Sequence, residues 1–191
     1  TMPEKYRNMY NPEEITLPPN FKPMPDFSFG WAAKGRDENT EGYPRPAANV
    51  RKHIADYYAM ISHVDEYVGR MVDALERKGF LENTIIVFCG DNGLAVGQHG
   101  LMGKQNCYEH SVGVPLLMAG PGIPENQVRS QYVYLLDVYP TLCDLAGIPI
   151  PQSVEGKSFA RMFTDPTFVT RPDLYLAFQA RIRGVMDHRY K

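Results

Sequence analysis

The chain has 191 residues, of which 43% are hydrophobic and 22% charged, enough apolar material for one core and ordinary for a globular domain. Its net charge of -2 supplies no basic field for nucleic acid and no polybasic membrane anchor, and no run approaches the roughly 20 apolar residues of a membrane helix. No signal pattern opens the sequence, and Cys89, Cys107 and Cys143 are an odd set without zinc spacing, expected as buried free thiols rather than a disulfide framework.

Residues 1–48 are rich in proline, with clusters such as Leu17-Pro18-Pro19-Asn20 and Met24-Pro25-Asp26, and hold neither a period of 2 nor one of 3.6. We expect an extended connector packing on a core, preceded by a further amino-terminal portion of the protein. From about residue 49, Val50, Ile54, Tyr57, Ile61, Val64, Val68, Met71 and Leu75 recur at three- and four-residue steps, the stripe of one long helix closed by Lys78-Gly79. A turn at Glu82-Asn83 leads into residues 84–89, apolar on both faces, which predict a central parallel strand. Residues 114–119 predict a second buried strand, with Pro115 near its start where a missing donor is tolerated. Asp137 is expected to cap a helix running through Tyr139, Leu142 and Leu145 to the stop Gly147-Ile148-Pro149. Beyond it the sequence predicts a helical patch around 159–163, a strand at 173–179, and a second from Ile182 in which the chain ends. The expected organisation is a connector over 1–48, an α/β core segment over 49–150, and the start of a carboxyl-terminal subdomain over 151–191.

The chemistry concentrates between residues 89 and 109. An apolar strand ending in Gly90-Asp91-Asn92-Gly93 delivers a carboxylate and a carboxamide to the carboxyl edge of a sheet, where open α/β sheets keep their sites. Both side chains offer hard oxygens suited to calcium or magnesium, which need further acids from elsewhere to fill their shell. The plainer alternative is a turn, which the same residue types favour. Lys104 closes the glycine-rich stretch Gly97-Gln98-His99-Gly100-Leu101-Met102-Gly103, and a lysine approached by glycine backbone suits one oxygen of a tetrahedral oxyanion. His99 has three open roles: substrate ligand, proton donor to a leaving alcohol, or hydrogen-bonded pin of the loop. Tyr108 and Glu109 are expected to anchor the loop, with orientation of Lys104 as an alternative for Glu109. His53 and His63 in the long helix, and His110 and His188 without a motif, are read as structural or exposed. No Ser, Cys or Thr has an activating partner in the sequence pattern, no glycine-serine elbow appears, and no second acidic cluster completes a metal shell. The sequence shows half of a site for an anionic ester.

On these residues the chain resembles the carboxyl-terminal half of a type I sulfatase of the alkaline phosphatase superfamily. The likeness runs from Pro3-Glu4-Lys5-Tyr6 and Leu17-Pro18-Pro19-Asn20-Phe21, through Tyr57-Tyr58-Ala59-Met60-Ile61-Ser62-His63-Val64-Asp65, to Ile182-Arg183-Gly184-Val185 and Arg189-Tyr190-Lys191. Its most specific part is Gly90-Asp91-Asn92-Gly93 with Gly97-Gln98-His99-Gly100, Gly103-Lys104, Tyr108-Glu109 and Val114-Pro115. The resemblance implies an α/β fold: part of an alkaline-phosphatase-like α/β/α sandwich with a mostly parallel sheet, followed by the start of a small antiparallel subdomain. It implies hydrolysis of a sulfate ester on a small molecule or glycan, with Asp91 and Asn92 among the ligands of calcium (magnesium as the alternative), Lys104 as the catalytic sulfate-binding lysine, and His99 in the catalytic and substrate pocket. It also implies a formylglycine made from Cys or Ser in a Cys/Ser-x-Pro-Ser-Arg motif of the amino-terminal part. That motif is absent here, so this chain alone is expected to have no turnover. The chain departs from the resemblance at Gly113, where many members of that family place an arginine, so no salt bridge or anionic contact is expected from that position.

The same resemblance implies a periplasmic or secreted location; the charge and hydropathy give no expectation of nucleic-acid or membrane partners, and a sheet cut from its neighbouring strands is expected to self-associate through an exposed face. Two alternatives compete. One is a phosphoesterase of the same superfamily, which binds two zinc or manganese ions through an Asp-His pattern where this chain has Asp91-Asn92. The other is a non-catalytic binding module that kept the fold.

Overall fold

Prolines break the first stretch of the chain into single turns. In the computed structural model, which describes residues 2–28, 30 and 35–191, helix α1 (Glu4–Arg7) and 3-10 turns at Pro12–Glu14 and Glu38–Thr40 punctuate a path that is otherwise extended or bent. Helix α2 (Ala47–Arg77) begins three residues before the first residue of the apolar stripe, Val50, because Pro46, which has no N–H to place in a helix, stands at its N-cap in extended conformation. It ends at the expected place, where the N–H groups of Gly79 and Phe80 turn back to the carbonyls of Glu76 and Leu75. Only its first half is buried: Val50, Ile54, Ala55 and Ala59 are inside, whereas Ile61, Val64, Tyr67 and Met71 are exposed. Helix α1 lies on its middle, with the Tyr6 hydroxyl and the Lys5 ammonium both donating to Glu66, and the Tyr10 and Ser62 hydroxyls 2.7 Å apart.

The connector packs through its apolar side chains. Ile15, Leu17 and Phe21 close on a cluster of Val50, Ile54, Val96 and Met102, with Leu94 beside them. Burying each such side chain contributes about 1.5–3 kcal/mol, so this cluster seats both the connector and the glycine-rich loop on the amino-terminal half of α2. These parts form one of two compact units, Thr1–Glu82 with Asn92–Val114. The second unit comprises Asn83–Asp91 and Pro115–Lys191, a division by packing that cuts across the sequence-based segments 1–48, 49–150 and 151–191.

In the second unit, strand β1 (Ile86–Cys89) pairs with β2 (Leu116–Ala119). The class is α/β, but this pair is antiparallel, Ile86 facing Ala119 and Cys89 facing Leu116, instead of the parallel pairing expected of β1. The reason lies at the strand ends. The Gly90 N–H donates to the Pro115 carbonyl at 3.2 Å, so the chain leaves and returns at the same end. Helix α3 (Glu109–Val112), within the connection, is too short for the crossover that a parallel neighbour needs. Burial falls off along β1, and Phe88 and Leu117 are 40% and 59% exposed where a strand covered on both faces was expected. Cys89, at the open end of this two-stranded ribbon, is exposed rather than buried; Cys107 is partly buried and Cys143 buried.

A 3-10 turn, Leu135–Asp137, leads into helix α4 (Val138–Leu145). Asp137 stands where the cap was expected but caps nothing in α4. Its fully buried carboxylate accepts the N–H groups of Tyr134 at 2.7 Å and Lys157 at 2.8 Å and pairs with Arg171. Thr141 continues the tie, donating to the Asp137 carbonyl and accepting from the Phe159 N–H. The helical patch is a 3-10 turn, Ala160–Phe163. Strands β3 (Leu174–Phe178) and β4 (Ile182–Met186) form an antiparallel hairpin. The chain does not end inside β4, because the Asp187 carboxylate accepts the N–H groups of Arg189 and Tyr190 and turns the backbone out of the strand. No helix among the described residues is long and apolar enough to cross a membrane.

Candidate active site

Asp91 and Asn92 follow β1 after one glycine, Gly90, as the strand-then-oxygens pattern requires. Asp91 is exposed and Asn92 partly buried. The Asn92 amide nitrogen donates to the Gly93 carbonyl at 2.8 Å, which turns its amide oxygen the opposite way. Gly93 makes the turn possible by close approach: its N–H bonds to the Ser111 carbonyl at 3.0 Å, and a Cβ at this position would collide with the carbonyl of His110. A carboxylate and a carboxamide oxygen are hard donors that suit a cation taking about six to eight oxygens, and they supply two of them. Among the described residues no group of three or more His, Cys, Asp and Glu side chains converges. The donor chemistry therefore fits part of a calcium or magnesium shell, the rest of which these residues do not supply.

The loop carrying His99 and Lys104 is fastened at both ends to the connector. His99 has a left-handed backbone, φ 52°. Its N–H donates to the Asn20 carbonyl at 2.9 Å and its Nε2 lies 3.0 Å from the Asn20 amide nitrogen, so the last residue of Leu17-Pro18-Pro19-Asn20 holds backbone and imidazole together. An amide N–H given to Nε2 makes that nitrogen the acceptor and leaves the ring proton on Nδ1. The ring stacks on Tyr108 at 4.2 Å between centroids, 11° from parallel, and His110 stands 5.5 Å from the same tyrosine. Tyr108 thus anchors the loop as expected, and His110 joins the aromatic group. At Gly100, φ is +75° and a Cβ would strike the backbone of Met24 and Pro25.

Lys104 has a carboxylate neighbour, Asp37, that the sequence reading did not name. Its ammonium lies 3.9 Å from Asp37 Oδ2, with the two side chains 35% and 17% exposed. The Glu109 carboxylate lies over Gly113 instead, where a Cβ would collide with it. One step further in, Glu38 and Arg45 form a buried ion pair at 2.5 Å, 4% and 0% exposed. Arg45 donates Nε to the Gly100 carbonyl at 2.7 Å and Nη1 to the Glu41 carbonyl at 2.7 Å, and lies 4.3 Å over the Tyr43 ring. The Glu38 carboxylate in turn accepts the Met102 N–H at 3.1 Å. One connector segment, residues 37–45, therefore clamps the glycine loop on both sides of Leu101 and places a carboxylate beside Lys104. Sequence reading missed Asp37, Glu38 and Arg45, because a proline-rich stretch without a period gives no sign of which of its many charged residues meet the loop.

Over residues 2–148 the chain matches the family model for sulfatases. It belongs to the sulfatase family. The arylsulfatase K of Canis lupus familiaris is 43% identical over 110 residues, 58% of this chain and 20% of that protein. The choline-sulfatase of Rhizobium meliloti (strain 1021) is 45% identical over 104 residues, 54% of this chain and 20% of the relative. This sulfatase chain thus spans about a fifth of the length of the curated relatives it matches. Among solved structures, the phosphonate monoester hydrolase SpPMH from Silicibacter pomeroyi superposes with a TM-score of 0.76 at 23% identity, over 91% of this chain and 36% of its own. That likeness shows the fold alone. BT4656, solved in complex with its substrate D-glucosamine-2-N, 6-O-disulfate, gives 0.67 at 26% identity over 81% of this chain and 34% of its own.

Proposed function

We propose that this chain is a segment of an enzyme that hydrolyses sulfate esters of an organic substrate, with a sulfated sugar as the favoured class. The observation that carries the reading is the sulfatase match over residues 2–148, which spans Asp91, Asn92, His99 and Lys104. It is supported by the sulfated glucosamine named for BT4656. Asp91 and Asn92 are assigned to a divalent cation, calcium first and magnesium second, through one carboxylate and one amide oxygen. Such an ion, when bound, polarises a sulfuryl oxygen and neutralises developing charge. Lys104 holds a further oxygen of the ester group as a point charge, with Asp37 limiting where its ammonium swings. His99, fixed by Asn20 and stacked on Tyr108, presents its Nδ1–H side to substrate as a hydrogen-bond donor to the departing oxygen.

A formylglycine outside these residues would supply the nucleophile, so the isolated chain has no turnover in this reading. A periplasmic or secreted location belongs to the same proposal.

The test is a paired assay of the full-length protein on 4-nitrophenyl sulfate and 4-nitrophenyl phosphate. A sulfate preference is expected; a clear phosphate preference would favour the phosphoesterase alternative. Against that alternative, Asp91 is followed by Asn92 rather than a second-metal histidine. The non-catalytic alternative prevails if the full-length sequence lacks a convertible Cys or Ser before Pro-Ser-Arg.

A further inference from the structure

The partner of Lys104 is itself held in place. Asp37 opens the Glu38–Thr40 turn without capping it through its side chain, and the Thr40 N–H binds its carbonyl at 3.1 Å. The next residue, Glu38, is locked by Arg45 and the Met102 N–H. The Asp37 carboxylate is therefore positioned by the burial of the residue beside it together with hydrogen bonds from Arg36 Nε and Nη2. One of its oxygens takes Arg36, a side chain 89% exposed and so screened by water; the other faces Lys104 at 3.9 Å. At 17% exposure Asp37 sits where its charge is felt more strongly than a surface charge would be.

A fixed negative charge beside a single ammonium discriminates by charge number. A sulfate monoester carries one negative charge, whereas a phosphate monoester gains a second above its second ionisation near pH 6. The carboxylate repels that second charge while leaving Lys104 able to hold the first. We propose that Asp37 is a specificity-determining residue that biases the Lys104 site toward singly charged ester groups, and so toward sulfate over phosphate. The inference rests on the reading of Lys104 as the ester-binding lysine.

The experiment compares kcat/KM for 4-nitrophenyl sulfate and 4-nitrophenyl phosphate in the full-length protein and its Asp37→Asn and Asp37→Ser variants, each shown folded by thermal melting. At about pH 8, where the phosphate ester is doubly charged, loss of the carboxylate raises the phosphate-to-sulfate ratio roughly tenfold. As the pH falls through the second ionisation of the phosphate ester, which then carries one charge like the sulfate, the ratio falls back towards that of the unmodified protein. Arg36→Gln removes hydrogen bonds to the same carboxylate but leaves its charge, and does not reproduce the rise. An unchanged ratio in both Asp37 variants, a rise independent of pH, or an equal rise in Arg36→Gln overturns the proposal. Lys104→Ala separates the two levels: sulfate turnover surviving in that variant removes the ester-binding reading itself, whereas its loss beside unchanged Asp37 ratios removes only the specificity role.

Discussion

Replacing Arg45 by Met tests whether the connector clamp holds the glycine loop. Arg45→Met keeps the length and apolar stem of the side chain and removes the charge. The Glu38 carboxylate, 4% exposed, then keeps the Met102 N–H at 3.1 Å and the Tyr43 hydroxyl at 3.4 Å but loses its cation. The carbonyls of Gly100 and Glu41 each lose a donor at 2.7 Å. Breaking one side of a buried ion pair costs about 3–5 kcal/mol, a large share of the roughly 5–15 kcal/mol that holds a domain folded. With a urea dependence near 2 kcal/mol per molar, the unfolding midpoint should fall by about 1.5–2.5 M. The double variant Glu38→Leu/Arg45→Met removes both charges and should recover most of the loss, because no unpaired carboxylate remains. Urea unfolding followed by tyrosine fluorescence measures both. A loss below about 1 kcal/mol in the single variant, within the range of an exposed pair, would refute the reasoning.

Three further outcomes are expected. Gly93→Ala should destabilise the protein by about 2 kcal/mol, since the added methyl meets the His110 carbonyl; a gain in stability, the usual result where a glycine has room, would show that the turn is not packed as described. The hydrogen bond from His53, then that from Asn49, holds the Glu41 carboxyl below its ordinary value of 4.5. A group with a lower pKa in the folded state adds stability above its ordinary value and loses it as the pH falls through the folded one. His53→Ala should therefore lower the unfolding midpoint at neutral pH, with the gap closing below about pH 4; a gap constant across that range contradicts the linkage. Because Phe88 and Leu117 are exposed on the β1–β2 ribbon, the isolated chain should associate in light scattering at micromolar concentration, and a monodisperse monomer would contradict this.

What could be read from the sequence was what depends on near neighbours. The apolar stripe from Val50 gave α2 to within three residues at its start, and the run before Gly90 located β1, because periodicity and termination are local properties. Pairing direction was not local: whether β1 meets a parallel or antiparallel neighbour depends on where the chain returns after Gly90, and only the bond to Pro115 shows it. Asp137 illustrates a milder failure. Its position before α4 matched a cap, but distant Lys157 and Arg171 compete for the carboxylate and win. At the candidate site, the glycine spacing singled out His99 and Lys104. Their partners Asn20 and Asp37, and Arg45 and Glu38 that bond the neighbouring Gly100 and Met102, lie some 55 to 79 positions away, and a proline-rich stretch without a period carries no trace of those contacts.

Calorimetric titration of calcium into the full-length protein and its Asp91→Ala and Asn92→Ala variants tests the central claim most directly. The account predicts one bound ion in the unmodified protein, with affinity falling by at least about tenfold in each variant as one of its few hard ligands is lost. Equal stoichiometry and affinity in all three proteins would contradict it.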